Sequence, residues 1–100
     1  MDAASPKVRP GFTPRQGQYL AFIHAYRRLH GCAPAEADFQ RFFRVSPPSV
    51  HQMILKLEQI GLITRQPGVA RSIILTVDPK ALPEMEARHN QPVKTSVQRY

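Results

Sequence analysis

Apolar residues recur at helical spacing in three successive stretches of this 100-residue chain. In the first stretch, Thr13, the proline after it and Gln16 have the spacing of a capping box, and Gly31 suits the end of a helix. The apolar stripe between these ends consists of Tyr19, Phe22, Ile23, Tyr26 and Leu29. The pattern therefore predicts a first helix with this stripe in the core.

A second, shorter helix is predicted over about 35–43, after Pro34. Its buried side would consist of Phe39, Phe42 and Phe43. Asp38 falls in the first turn, where a carboxylate is stabilised by the helix dipole.

The third helix is predicted over 46–60, with Ser46 as its N-cap. The two prolines that follow occupy positions whose N–H groups have no partner within a helix, so they start the helix and do not break it. The apolar face predicted for the core is Val50, Met53, Ile54, Leu57 and Ile60, and Gly61 ends the helix.

Alternation of apolar and polar residues after the third helix predicts two strands, 62–65 and 72–77, joined by a turn at 66–71. The predicted fold class is α+β and mainly α: a three-helix winged helix-turn-helix with a C-terminal two-stranded β-hairpin as the wing. The expected domain organisation is a flexible arm at 1–12, the folded domain at 13–82 and a basic, disordered tail at 83–100.

The face of the third helix opposite the apolar stripe carries short and medium polar side chains. At 100° per residue this outer face contains Pro48, Gln52, Leu55 and Gln59, flanked by Ser49, His51 and Lys56. Side chains of this kind can hydrogen-bond base edges in a major groove. The alternative is an ordinary solvated helix face, and Leu55 could touch a thymine methyl group, pack on the wing or simply be exposed.

Charge favours the first of these interpretations. The chain has 14 Lys and Arg against 7 Asp and Glu, a formal net charge of +7. Residues 13–77 include eight basic and three acidic residues. An excess of this kind indicates a polyanionic partner, nucleic acid before an acidic membrane surface, although some soluble proteins are merely basic.

Other classes of function find little support in the sequence. The single cysteine, Cys32, excludes a disulfide framework, and no apolar run is long enough for a signal peptide or a membrane span, so a cytoplasmic protein is expected. His24, His30 and Cys32 do not have the spacing of a metal site, and no catalytic pair is convincing. We expect neither an enzyme nor a bound cofactor.

Five short motifs follow one another in a set order: TPRQ at the start of the first helix, GCAP after it, SPPSVH at the start of the third helix, LKLEQIGLITR, and GVARSI in the wing. This series resembles the N-terminal DNA-binding domain of the LexA repressor family over about 65 of the 100 residues. The resemblance implies base-reading roles for Ser46, Pro48, Ser49, His51 and Gln52. It implies contacts of the wing with the DNA backbone or minor groove for Arg65 and Arg71, with Arg44 and Lys56 as further backbone candidates.

The sequence departs from that family in three ways. LexA continues into a self-cleaving peptidase domain, which also dimerises, whereas a stand-alone domain is expected here. Arg44 occupies the turn between the second and third helices, where the family usually has glycine. Ala35 occupies the start of the second helix, where Ser or Thr would act as a cap, and both residues are expected to cost local stability.

The sequence thus predicts a regulator of transcription that binds double-stranded DNA sequence-specifically, acts as a repressor and associates with the bacterial nucleoid. A homodimer is compatible with this function. The alternative is a protein-interaction adaptor, because winged helices also bind acidic proteins and a fold alone does not fix a function.

Overall fold

The computed structural model describes residues 11–85, in which three α-helices precede an antiparallel hairpin. The helices are α1 (Pro14–His30), α2 (Glu36–Phe43) and α3 (Pro47–Gln59), and the strands are β1 (Ile63–Thr64) and β2 (Ile74–Leu75). A short 3-10 helix, Pro79–Ala81, follows them. The predicted fold class is confirmed, whereas residues 1–10 of the predicted arm and 86–100 of the predicted tail lie outside the described residues.

Helix α1 has the ends that the sequence predicts. The Thr13 N–H donates to Gln16 Oε1 (2.9 Å), the Gln16 N–H donates to Thr13 Oγ1 (3.1 Å), and Gly31 ends the helix with a φ of 76°. The predicted stripe is wrong at Leu29, which is 80% exposed, whereas Leu20 is fully buried. The last turn of α1 extends past the core, so helical spacing alone does not bury its apolar residue.

Helix α2 begins without a side-chain cap, since Ala35 has no oxygen beyond its backbone. The carboxylate of Asp38 compensates in part by accepting the Ala35 N–H at Oδ2 (2.8 Å). Phe39 is fully buried and Phe43 stacks on Tyr19 of α1, with ring centroids 4.4 Å apart. The aromatic side of α2 therefore fixes this helix against α1.

Helix α3 inserts three fully buried side chains, Val50, Ile54 and Leu57, into the core. Two residues of the predicted face differ: Met53 is only half-buried, and Ile60 is 40% exposed. Ile60 is the residue after the last turn of the helix, so the spacing that places Leu57 inside no longer applies to it. Ile54, and not Met53, is therefore a large α3 side chain that is fully buried in the core.

The hairpin that forms the wing pairs fewer residues than predicted. Its register joins Ile63 with Leu75 and Thr64 with Ile74, and the segment between the strands is longer than the predicted turn. Within that segment the Gln66 N–H donates to Ser72 Oγ (2.9 Å). This internal bond replaces the strand pairing that the alternating pattern predicts.

Packing reaches slightly beyond the predicted bounds 13–82. Phe12 and Met85 pack against the core, and a Cβ added at the buried Gly17 would lie 2.9 Å from the Phe12 ring. Gln18 Nε2 also donates to the carbonyl oxygen of Glu84 (3.0 Å). Across residues 11–85, no helix is long and apolar enough to span a bilayer.

Candidate nucleic-acid interface

The N-terminal end of α3 presents a compact polar surface. The residues predicted to read bases, Ser46, Pro48, Ser49, His51 and Gln52, are all exposed and lie on this end of the helix. Behind them, fully buried Val50 and Ile54 hold the helix in the core. The structure thus brings all five predicted residues to one exposed surface, which we call the reading face.

The start of α3 has few backbone donors to offer. Pro47 and Pro48 lack N–H groups, and the Ser49 N–H donates to Ser46 Oγ (3.3 Å). The two serine hydroxyl oxygens are also 2.9 Å apart, which fits a hydrogen bond between them. Contacts from this helix end to an anion must therefore come mainly from side chains, although the dipole of the helix still favours negative charge there.

An acidic residue of α2 lies beside the reading face. Glu36 Oε2 is 3.2 Å from His51 Nδ1, and both side chains are partly exposed. No motif or periodicity in the sequence indicates that Glu36 is part of the site. The two residues are 15 positions apart, and only the packing of α2 on α3 brings them together.

The predicted wing residue Arg65 is directed towards the protein. Its Nε donates to Glu58 Oε1 on α3 (3.1 Å), and its side chain is only 18% exposed. The ion pair ties β1 to the last turns of α3. A DNA contact by Arg65 stays a prediction, and the observed geometry does not favour it.

Arg71, the other predicted wing residue, also bonds to the protein, although its side chain is 42% exposed. Its Nη1 donates to Tyr26 Oη (3.0 Å), to the Ala33 carbonyl oxygen (3.2 Å) and to Asp38 Oδ2 (3.1 Å). Its backbone has a φ of 59°, in the left-handed region that side chains rarely adopt. These contacts fix the wing to α1 and α2, so the geometry gives Arg71 a role in the fold that the sequence did not predict.

Asp38 is the acidic centre of this network and is almost fully buried. Burial opposes its ionisation, but the Ala35 N–H and the guanidinium groups of Arg71 and Arg41 outweigh that effect. Together they hold the pKa of the Asp38 carboxyl below its ordinary value. A buried anion therefore anchors three elements: α2, the wing and, through Tyr26 beside Arg71, helix α1.

Two predicted backbone-contacting cations are exposed. Lys56 lies on α3, and Arg44 ends α2 with a φ of 56°. Arg44 thus adopts the left-handed conformation that glycine would adopt without strain. Both charges are presented to solvent on the elements that bound the reading face.

The expectation about metals concerned His24, His30 and Cys32. Within residues 11–85, no group of three or more His, Cys, Asp or Glu side chains is arranged to hold a metal ion. Cys32 is a free, half-buried thiol next to Gly31.

Three helices, of which the third exposes a polar N-terminal face, and a hairpin docked beside them define a winged helix-turn-helix domain. The model of the family described as LexA DNA binding domain matches residues 10–72. The chain therefore belongs to the LexA DNA binding domain family.

Known relatives agree with this membership. The chain is 37% identical over 70 residues to a LexA repressor of Thermosipho africanus, a match that covers 70% of this chain and 35% of the relative. A LexA repressor of Geobacter metallireducens is 36% identical over 64 residues, covering 63% of this chain and 32% of the relative. The chain spans about a third of the length of these curated relatives.

Proposed function

We propose that this domain binds double-stranded DNA sequence-specifically, reads the major groove with the reading face of α3, and acts as a transcriptional repressor at the bacterial nucleoid. The observation that carries the proposal is the exposure of Ser46, Ser49, His51 and Gln52 together at the N-terminal end of a helix whose other side is fully buried. Residues at this end of a recognition helix are the ones that reach base edges.

The chemistry of these side chains supports direct readout. The Gln52 amide has a donor and an acceptor that can pair with N6 and N7 of adenine, and serine hydroxyls can pair with several bases. Family membership and the LexA repressor relatives point to the same function. Repression would follow from occupying a site that RNA polymerase needs.

The cations divide into two groups under this proposal. Arg44 and Lys56 contact phosphates, because their side chains are exposed. Arg65 and Arg71 instead hold the wing in place, because each is bonded to an acid of the domain. The wing would then approach DNA mainly through the uncharged segment that includes Gln66 and Val69, which are both exposed.

Selection of bound sequences from random duplexes tests the proposal directly. We expect a defined motif to be enriched, with a strong dependence of its affinity on salt. Two copies of the motif about 10 base pairs apart would indicate a symmetric dimer, and a single copy would indicate a monomer. Equal recovery of all sequences would contradict sequence-specific binding and would favour a protein partner for the same face.

A further inference from the structure

Glu36 is an acid on the surface where the proposed function places a polyanion. It is the first residue of α2, and its carboxylate is 3.2 Å from Nδ1 of His51 on the reading face. Its side chain is 37% exposed, so burial in the core does not explain the position. A carboxylate here repels phosphate, and this cost calls for a compensating role.

In a neutral imidazole, the pairing fixes the hydrogen-bonding role of each ring nitrogen of His51. An ionised carboxylate can only accept hydrogen bonds, so the nitrogen that faces Glu36 must carry the proton. In a neutral imidazole with its proton on Nδ1, Nε2 has a free lone pair and is an acceptor. Nε2, the nitrogen left free for a ligand, is therefore a hydrogen-bond acceptor.

We infer that Glu36 is a positioning residue that determines base specificity, by holding His51 so that Nε2 accepts a hydrogen bond from the exocyclic amine of a base. This inference rests on the proposed function. In the major groove such amines are N4 of cytosine and N6 of adenine. Phosphate oxygens are acceptors and cannot pair with an acceptor nitrogen, so a base edge is the partner.

An acceptor at Nε2 also determines which base His51 rejects. Guanine presents only the acceptors O6 and N7 at its major-groove edge. An acceptor nitrogen held opposite them would leave both sides without a donor, which is costly in a desolvated interface. Without Glu36 the ring can turn or adopt the other tautomer and so tolerate guanine. Glu36 thus lowers the overall affinity for DNA and increases the discrimination between bases.

Substitutions at Glu36 separate its charge from its hydrogen bond. Glu36→Ala removes both, whereas Glu36→Gln removes the charge and keeps a side-chain oxygen that can accept the Nδ1 proton. Both variants should bind random duplex DNA more tightly than the parent, because repulsion of phosphate is lost. Only Glu36→Ala should lose discrimination at the base pair that His51 reads.

The experiment begins with His51→Ala on the site obtained by selection, which locates the base pair whose preference depends on this ring. At that position an analogue without the exocyclic amine then replaces the natural base: purine for adenine, or 2-pyrimidinone for cytosine. Measured at about pH 8, the parent and Glu36→Gln should bind the duplex with the analogue about 3- to 10-fold more weakly than the duplex with the natural base. Glu36→Ala and His51→Ala should change less than about 2-fold.

The inference is overturned if Glu36→Ala remains as sensitive to the missing amine as the parent. It is also overturned if His51→Ala weakens binding to all sequences equally, because His51 would then contact phosphate. In both cases sequence-specific binding by the parent survives, so the proposed function stands. A parent that selects no motif contradicts the proposed function itself, and thermal melts of all variants identify any loss of fold.

Discussion

At the scale of single residues, the most consequential feature is the buried carboxylate of Asp38. It accepts hydrogen bonds from the Ala35 N–H and from Arg71, and it pairs with Arg41. The sequence placed Asp38 in the first turn of α2 for its effect on the helix dipole. Its larger role depends on Arg71, which lies 33 residues further along the chain, and no helical or strand periodicity relates the two.

Asp38 makes the stability of the domain depend on pH. Its pKa is lowered in the folded state, whereas the pKa of an unfolded Asp is about 3.9. The stability it contributes is therefore complete above the unfolded pKa and is lost as the pH falls through the folded pKa. We expect Asp38→Asn to be less stable than the parent at pH 7, and we expect this difference in stability to shrink as the pH falls below about 3.9, as measured by urea unfolding. A difference that is constant with pH would contradict this role.

Arg71 should contribute to stability although it lies in the wing. Removing its guanidinium deprives Tyr26, Ala33 and buried Asp38 of a shared donor, so Arg71→Ala should lower the melting temperature. Arg28→Ala, at an exposed position in the last turn of α1, is the control and should melt as the parent does. Equal melting of the two variants would mean that the Arg71 contacts do not stabilise the fold.

At the scale of elements, the sequence predicts the helices well and their outermost turns less well. The capping box of Thr13, the αL position of Gly31 and the proline start of α3 depend on neighbouring residues, so local chemistry is sufficient to predict them. Leu29 and Ile60 match the apolar spacing yet are exposed, because their burial depends on where the neighbouring elements stop. The strands of the hairpin are shorter than the alternating pattern predicts, because Ser72 bonds to Gln66 within the wing.

The turn between α2 and α3 provides a test at this scale. Arg44 has a φ of 56°, which costs a residue with a Cβ about 1 kcal/mol or more relative to glycine. Arg44→Gly and Arg44→Ala lose the same charge and differ only in backbone freedom. We expect the glycine variant to be more stable than the alanine variant by about 1 kcal/mol in urea unfolding. Equal stabilities would show that the turn is not strained.

At the scale of the whole molecule, the formal charge of +7 overstates what the described domain offers to DNA. Arg65, Arg71 and Arg41 are each paired with an acid of the protein, although Arg41 and Arg71 are also exposed to solvent. Arg44 and Lys56 are exposed beside the reading face. The sequence correctly indicated the excess of charge and the polar face of α3. It could not indicate which cations are already paired, because those pairs form between elements.

This distribution of charge predicts a pattern of salt dependence. Each phosphate contact contributes about −0.9 to the slope of log K against log salt concentration. Lys56→Ala and Arg44→Ala should each make the slope less steep by about that amount. Arg65→Gln should leave it nearly unchanged, because the parent side chain is held by Glu58. If only Arg65→Gln made the slope less steep, Arg65 would be shown to contact DNA.

The central claim is that the N-terminal end of α3 reads base edges. Gln52 and Gln59 are both exposed on the outer face of α3, two turns apart, and only Gln52 lies on the reading face. The test measures the binding of Gln52→Ala and of Gln59→Ala at one salt concentration. Each variant is measured on the selected site and on a random duplex. We predict that Gln52→Ala loses about 1–3 kcal/mol of discrimination while Gln59→Ala keeps it. Full discrimination by Gln52→Ala, or an equal loss in both variants, would contradict the claim.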